Sequence, residues 1–357
     1  MYSLLKIAVI SLLLIYSTMS DLSLYSNLYS NTNLYRDKMG IYRLSIVLEY
    51  FVSNKGNNEI FIRINEFLGN YCFESIHNDQ FIEESYLVIN DTVFPLQVIN
   101  DCLKVLNDTL IEIPVSNSLN ISVKLVGLVN QRLRIMELNR TLTILDKATI
   151  EANISEYGST SLWNYTHPIL SLVLKYIRKN ALHGINPIIK ILEYVNRNIV
   201  YTITFPSRYP WETIVIGSGD CDDQSNLIVT LLRGLGFKAY LESGIVFLDH
   251  RYLLSFSSSN TRFNYTYIGG FMHSWVILEL GENLFIRIDP VVAKPYSDPT
   301  TLISNAYYYA RPVFVLKTDL LGEDYILKTY VSMLEFSNRN LYLNVTLRIY
   351  AEELLVS

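Results

Sequence analysis

The hydrophobic positions of the chain change their period near residue 167. Upstream, from about Ile41 to Ile150, short runs of Val, Ile, Tyr, Phe and Leu alternate with Asn, Gly, Asp and Ser: Tyr42 to Val52, Glu59 to Phe67, Tyr86 to Phe94, Thr109 to Val115, Ile121 to Val126 and the surroundings of Thr143 to Leu145. Short strands between turn clusters such as Asn54-Lys55-Gly56-Asn57 predict an antiparallel, β-sandwich-like domain over residues 21–150. Downstream the apolar residues follow helical spacing, predicting helices over 167–182 and 186–199, with Pro168 and Pro187 where a first turn tolerates proline. An irregular stretch from Tyr201 to Gly219 leads into a third helix, Asp220 to about Gly234. Strand-like runs follow at Phe237 to Leu248, His273 to Leu280 and Leu284 to Ile288. Helices followed by strands predict an α+β domain over 151–300. Pro312 to Leu316, Tyr325 to Tyr330 and Leu341 to Tyr350 read as strands of a C-terminal β extension, 301–357. Ser255 to Asn260 reads as a polar loop.

Composition narrows the function class. Half of the 357 residues are hydrophobic and 27 are Tyr, which excludes disorder as the main theme. A formal charge of −5 and a pI near 5.6 give no basic excess, so nucleic acid is not an expected partner. Residues 1–20 combine Lys6, the apolar run Ile7 to Tyr16 and small polar residues. That is the layout of a secretory signal peptide, or of an N-terminal anchor if uncleaved, and membrane contact is expected only if this segment is retained. Eight Asn-x-Ser/Thr triplets, at Asn90, Asn107, Asn120, Asn139, Asn153, Asn164, Asn264 and Asn344, fit a secreted or extracytoplasmic chain. In such a compartment Cys72 and Cys102 are expected to pair, closing a loop that the chain-entropy argument values at roughly 3 to 4 kcal/mol. Cys221 is then the odd thiol.

The residues around Cys221 are Gly217-Ser218-Gly219-Asp220-Cys221-Asp222-Asp223-Gln224-Ser225-Asn226. Glycines permit a sharp turn and Asp220 can cap, so Cys221 falls in the first turn of the third helix. There the helix dipole and free N–H groups favour a thiolate, lowering its pKa, and can receive the charge of a tetrahedral intermediate. Asp222 and Asp223 oppose that effect, which makes a nearby imidazolium more necessary. His273 heads an apolar strand. If Gly281-Glu282-Asn283 is a three-residue hairpin loop, Leu280 faces Leu284, His273 faces Val291, and Asp289 is the diagonal neighbour of His273 on the same face. Cys221 as a merely buried thiol, and His273 as a strand histidine bonded to backbone, are the bland alternatives. Trp211, Tyr201 and Gln224 are candidates for a second oxyanion donor. His77, His167, His183 and His250 make no metal-ligand spacing, so neither a metal nor another cofactor is expected.

Gly-Asp-Cys-Asp-Asp-Gln-Ser at 219–225, Leu-Leu-Arg-Gly-Leu-Gly-Phe-Lys-Ala-Tyr at 231–240, His-Ser-Trp-Val at 273–276 and Ile-Asp-Pro at 288–290 together resemble the core of the transglutaminase-like superfamily of papain-like thiol enzymes. Ile199-Val200-Tyr201 and Pro210-Trp211-Glu212-Thr213 resemble its lead-in to the cysteine loop. The resemblance covers about Ile185 to Pro290 and implies a papain-like core with an antiparallel sheet and the nucleophile at a helix N-terminus. It assigns Cys221 as nucleophile, His273 as general acid/base and Asp289 as the group that orients the imidazole. It implies attack on an amide of a protein or peptide through a thioester, with a cysteine protease or amidohydrolase favoured because no acidic cluster resembles the calcium sites of animal transglutaminases. A cross-linking acyltransferase and a non-catalytic cell-surface protein that keeps the fold are the alternatives.

Overall fold

The computed structural model describes residues 40–68, 79–99, 102–106, 109–137, 158–180, 186–257, 262–281, 284–291, 308–309 and 311–354. The fold is mixed α and β. Its largest element is a seven-stranded sheet in the order β12-β13-β17-β1-β8-β3-β4, built from β1 (Ile41–Asn54), β3 (Gln80–Ile89), β4 (Thr92–Pro95), β8 (Ser118–Asn130), β12 (Leu253–Ser257), β13 (Phe263–Ile268) and β17 (Leu341–Leu354). The central strands alternate as one-faced sheets do. Leu44, Ile46, Leu48 and Val52 of β1 are buried with Leu119, Ile121, Val123 and Leu125 of β8 and Val345, Leu347 and Ile349 of β17. Two ribbons, β2 (Ile60–Arg63) with β7 (Leu110–Ile113) and β5 (Gln97–Ile99) with β6 (Cys102–Lys104), contribute Ile60, Ile113 and Leu103 to the same core. The first helices are α1 (Ile64–Leu68) and α2, which spans 131–137 of the described residues.

A second core is formed where α3 (Pro168–Asn180) and α4 (Asn186–Asn198) pack on α6 (Cys221–Gly234), which lies on a four-stranded sheet, order β15-β14-β11-β16. Its strands are β11 (Lys238–Phe247), β14 (Gly270–Gly281), β15 (Leu284–Ile288) and β16 (Val313–Asp319). The short helix α5 (Pro210–Ile216) follows the two-residue strand β9 (Val200–Tyr201), which pairs in parallel with β10 (Ser218–Gly219) just before the cysteine. α6 is buried along nearly its whole length, and its Leu227, Ile228, Leu231 and Leu232 are fully enclosed, so the helix that presents Cys221 is fixed by packing.

Several expected elements differ. Tyr325 to Tyr330 is the start of a helix, α7 (Tyr325–Asn338), capped by the Asp324 carboxylate accepting from the Leu327 N–H at 2.9 Å. Its β-branched and aromatic composition imitates a strand, but a capped start and the absence of a described strand partner decide otherwise. The Glu59 to Phe67 run divides into β2 and α1, and Tyr86 to Phe94 is broken by Asn90 and Asp91, both at positive φ, into a hairpin. Ser255 to Ser257 belong to β12, paired with β13, instead of a loop. Residues 1–20, Cys72, Thr143 to Leu145, His77, His183 and the triplets at Asn107, Asn139 and Asn153 lie outside the described residues. No described helix is long and apolar enough to cross a membrane.

Candidate active site

Asp220 ends the irregular lead-in with extended backbone, and Cys221 is the first residue of α6. The acids of this turn are spent on holding it. The Asp220 N–H donates to Asp223 Oδ2 at 3.2 Å, and Asp223 also accepts from Thr204 Oγ1 at 2.6 Å and from the Arg208 N–H at 2.6 Å. Asp222 accepts from Ser207 Oγ at 2.5 Å and from the Tyr325 hydroxyl at 2.9 Å, so α7 reaches back to the Cys221 turn. Oxygens of Asp220, Asp222 and Asp223 lie within 4.8 Å of one another, the one group among the described residues with the chemistry to hold a cation.

His273 and Asp289 come from neighbouring strands of the small sheet. Val276 pairs with Ile288 and Glu279 with Phe285, the register that makes Asp289 diagonal to His273, while a bulge next to the turn pairs Leu284 with Gly281 instead of Leu280. His273 Nε2 lies 2.7 Å from Asp289 Oδ2, both side chains almost fully buried. With Nε2 donating to the carboxylate, the neutral imidazole carries its acceptor lone pair on Nδ1. Asp289 Oδ1 accepts from the Val291 N–H at 3.0 Å, which fixes the carboxylate in turn.

Cys221 and His273 line one cavity of about 250 Å³. The link between their elements is Ser274. Its carbonyl accepts from Ser225 Oγ on α6 at 3.3 Å, so β14 and the helix start are tied together next to Cys221 and His273. The thiol pKa runs against the expectation from the helix dipole. Burial, then Asp220 and Asp222, push it well above the usual thiol range, outweighing the Ser274 N–H that pulls it down. Asp220 is itself raised, by burial and by Asp222 and Asp223, and Asp223 is pushed up to about 6 by burial and Asp222.

The three oxyanion candidates separate in space. Gln224 is fully buried with its amide donating to the Gly219 carbonyl at 2.7 Å, so it braces the turn. Trp211 on α5 stacks on His167, ring centroids 5.1 Å apart, and packs against the helical core outside the cavity. Tyr201 lines the cavity. Sequence reasoning missed Tyr267. This residue of β13 lines the same cavity, and its hydroxyl makes no hydrogen bond to a described residue. Its pKa is raised by burial first, then by Tyr265 and by Cys221, so the phenol stays a proton donor within electrostatic reach of the thiol. No local signal marks Tyr267, because it belongs to the large sheet and is delivered by tertiary folding.

Along the same faces of the His and Asp strands lies a buried polar network. Glu242 on β11 accepts from Trp275 Nε1 at 2.6 Å, from Arg287 Nε at 3.2 Å and from Thr318 Oγ1 at 3.3 Å. Arg287 and Arg134 lie over the ring of Tyr308, at 4.1 and 4.2 Å from its centroid, and Arg134 pairs with Asp79. Trp275 and Arg287 are each two residues from His273 and Asp289, on the same strand faces, so the network holds the strands that aim the pair.

Comparison with known proteins follows the same residues. The family model described as the transglutaminase-like superfamily matches residues 173–290. No curated protein matches the chain. Among solved structures, the putative cysteine protease from Cytophaga hutchinsonii is similar at 11% identity and a TM-score of 0.47, covering 89% of this chain and 92% of that one. Residues 173–290, which contain the Cys221 helix, the His273 strand and the Asp289 strand, carry a transglutaminase-like core.

Proposed function

We propose that the protein is a cysteine-dependent enzyme that attacks amide bonds of protein or peptide substrates, with water as the usual second substrate. One observation carries this reading: the free thiol of Cys221 at a helix start shares a cavity with His273, whose Nε2 is held by Asp289. His273 Nδ1 takes the thiol proton as sulfur adds to the carbonyl carbon. The negative oxygen is received by the Cys221 N–H, free in the first turn, and by the Tyr267 hydroxyl. Collapse breaks the C–N bond, and the amine leaves with the proton held by His273. Water, deprotonated by His273, then releases the acid from the thioester.

The test is incubation of the purified protein with peptide amides and a labelled amine, read by mass spectrometry. Hydrolysed product is expected, lost by about 1,000-fold or more in Cys221→Ala. Amine incorporation in place of hydrolysis would assign a cross-linking acyltransferase, and a wild-type thiol inert to iodoacetamide at every pH would sink the enzymatic reading. Tyr267→Phe is expected to lower kcat about 100-fold with little change in KM and none in the iodoacetamide rate. An unchanged kcat would remove Tyr267 from the mechanism.

We further propose export, with Cys102 on β6 bridged to Cys72 and glycans on the outer sheet face. Asn120 and Asn344 both lie opposite Phe51, and Asn344 pairs with Asn264 across β17 and β13. Asn90, Asn120 and Asn344 are exposed. Asn264 Nδ2 donates to Asn344 Oδ1 at 2.8 Å, so a glycan on one of these two blocks the other. The Asn164 amide oxygen accepts from Thr166 Oγ1 at 2.6 Å within its own triplet.

A further inference from the structure

The cavity that holds Cys221 and His273 has six Tyr and Phe residues in its wall: Tyr201, Phe205, Phe256, Tyr265, Tyr267 and Phe271. Thiol chemistry requires a nucleophile, an imidazole and hydrogen-bond donors, which a tyrosine hydroxyl can supply and a phenylalanine ring cannot. Phe205, Phe256 and Phe271 therefore need a separate explanation. Phe205, Phe256, Tyr265 and Tyr267 are packed on one another rather than loose. Phe256 stacks on Tyr265 with centroids 5.0 Å apart, Phe205 meets Tyr265 edge-on at 5.2 Å, and Phe256 meets Tyr267 edge-on at 5.6 Å. A wall preassembled in this way loses little entropy on binding.

Resting on the thiol-enzyme reading above, we infer that this wall is the recognition pocket for a large aromatic or apolar side chain beside the amide that Cys221 attacks. The volume fits. A cavity of about 150 Å³ accommodates benzene, and about 250 Å³ leaves room for a phenyl ring with its methylene and the adjoining peptide link. Charge narrows the class further, because among the described residues no Lys or Arg lines the cavity while Asp220 and Asp222 do. An acidic side chain finds two carboxyl groups and no described Lys or Arg. The rest of a peptide has a path, since a second cavity of about 420 Å³ shares Asp222, Ser243, Met272 and Ser274 with the first. The substrate class is thus a peptide amide with Phe, Tyr, Trp or a large aliphatic residue at the cleavage position and no acidic residue there.

The experiment measures binding without turnover. N-acetyl-Gly-X-Gly amides with X as Phe, Ala or Glu are titrated into full-length Cys221→Ala protein by calorimetry, with a chitobiose arm as a check for ring-stacked sugar. Phe is expected to bind about tenfold or more tightly than Ala, and Glu more weakly than Ala. In the Cys221→Ala/Phe256→Ala protein, whose folding is checked by thermal melting, the Phe advantage falls to about twofold, and Phe256→Leu recovers part of it. Equal affinity for Phe and Ala, a Phe advantage that survives both Phe256→Ala and Tyr265→Ala, or tighter binding of the sugar than of the Phe peptide would each overturn the pocket. Iodoacetamide reactivity of the wild type tests the thiol-enzyme reading separately, so failure of one is not confused with failure of the other.

Discussion

Cys221 is subject to two opposed fields. The start of α6 favours a thiolate, as any helix N-terminus does, yet burial and the carboxyl groups of Asp220 and Asp222 dominate and push the thiol up. Both causes favour the protonated thiol at neutral pH, so in the mechanism proposed above its deprotonation by His273 accompanies attack instead of preceding it. Two consequences are measurable. The iodoacetamide alkylation rate of Cys221 should climb through pH 9 without levelling near 7, because the reactive thiolate appears only as pH rises through a raised pKa. Asp222→Asn, which keeps an oxygen for Ser207 and Tyr325, removes one of the opposing charges. Its profile should shift to lower pH, with a severalfold faster rate at pH 8. A shift in the opposite direction would show that Asp222 acts on the thiol other than through its charge.

Among the elements, the chain from β13 to β14 does the most to assemble the site. β13 belongs to the seven-stranded sheet and β14 to the four-stranded sheet, and only Gly269 separates them. Gly269 has φ +82, and a Cβ there would lie 2.1 Å from the backbone oxygen of Ile349, so both conformation and space demand glycine. This corner brings the rings of Tyr265 and Tyr267 to the cavity that His273 enters from the next strand. Gly269→Ala should cost about 2 kcal/mol or more in denaturant unfolding, because the obstacle is backbone and cannot swing aside. Surviving folded protein should show reduced turnover, since the wall and the imidazole are displaced together.

At the scale of the whole molecule, the Glu242 network joins segments far apart in the sequence. Glu137 of α2 reaches Arg287, Arg287 reaches Glu242, and Glu242 reaches Trp275 and Thr318. Removing one member strands buried charge, so Glu242→Ala should destabilise the fold by about 3 to 5 kcal/mol in equilibrium denaturation. A loss below about 1 kcal/mol would mean that Arg287 finds water or another partner. The large sheet is assembled with equal reach, β17 at the C-terminal end pairing with β1 along its full length.

Much of this was legible locally. The period of apolar residues located α3, α4, α6, β11, β14 and β15, because helices and strands bury residues at fixed spacings that a window of ten or so residues reveals. The alternation along β14 and β15 placed Asp289 diagonal to His273 only if Leu280 faced Leu284; Gly281 takes that place, and a bulge beside it restores the register. Other features depended on contacts no window contains. Tyr325 to Tyr330 has the composition of a strand and became the start of a helix. Ser255 to Ser257 read as a loop and became an edge strand, and Tyr267 carried no local mark at all. The residue types and spacing of Cys221, His273 and Asp289 were determined by the sequence alone, because each is set by its own helix start or strand pairing. The raised thiol pKa, the aromatic wall and the placement of Trp211, Tyr201 and Gln224 relative to the cavity were decided only by tertiary structure, because burial and the meeting of two sheets are properties of the folded chain.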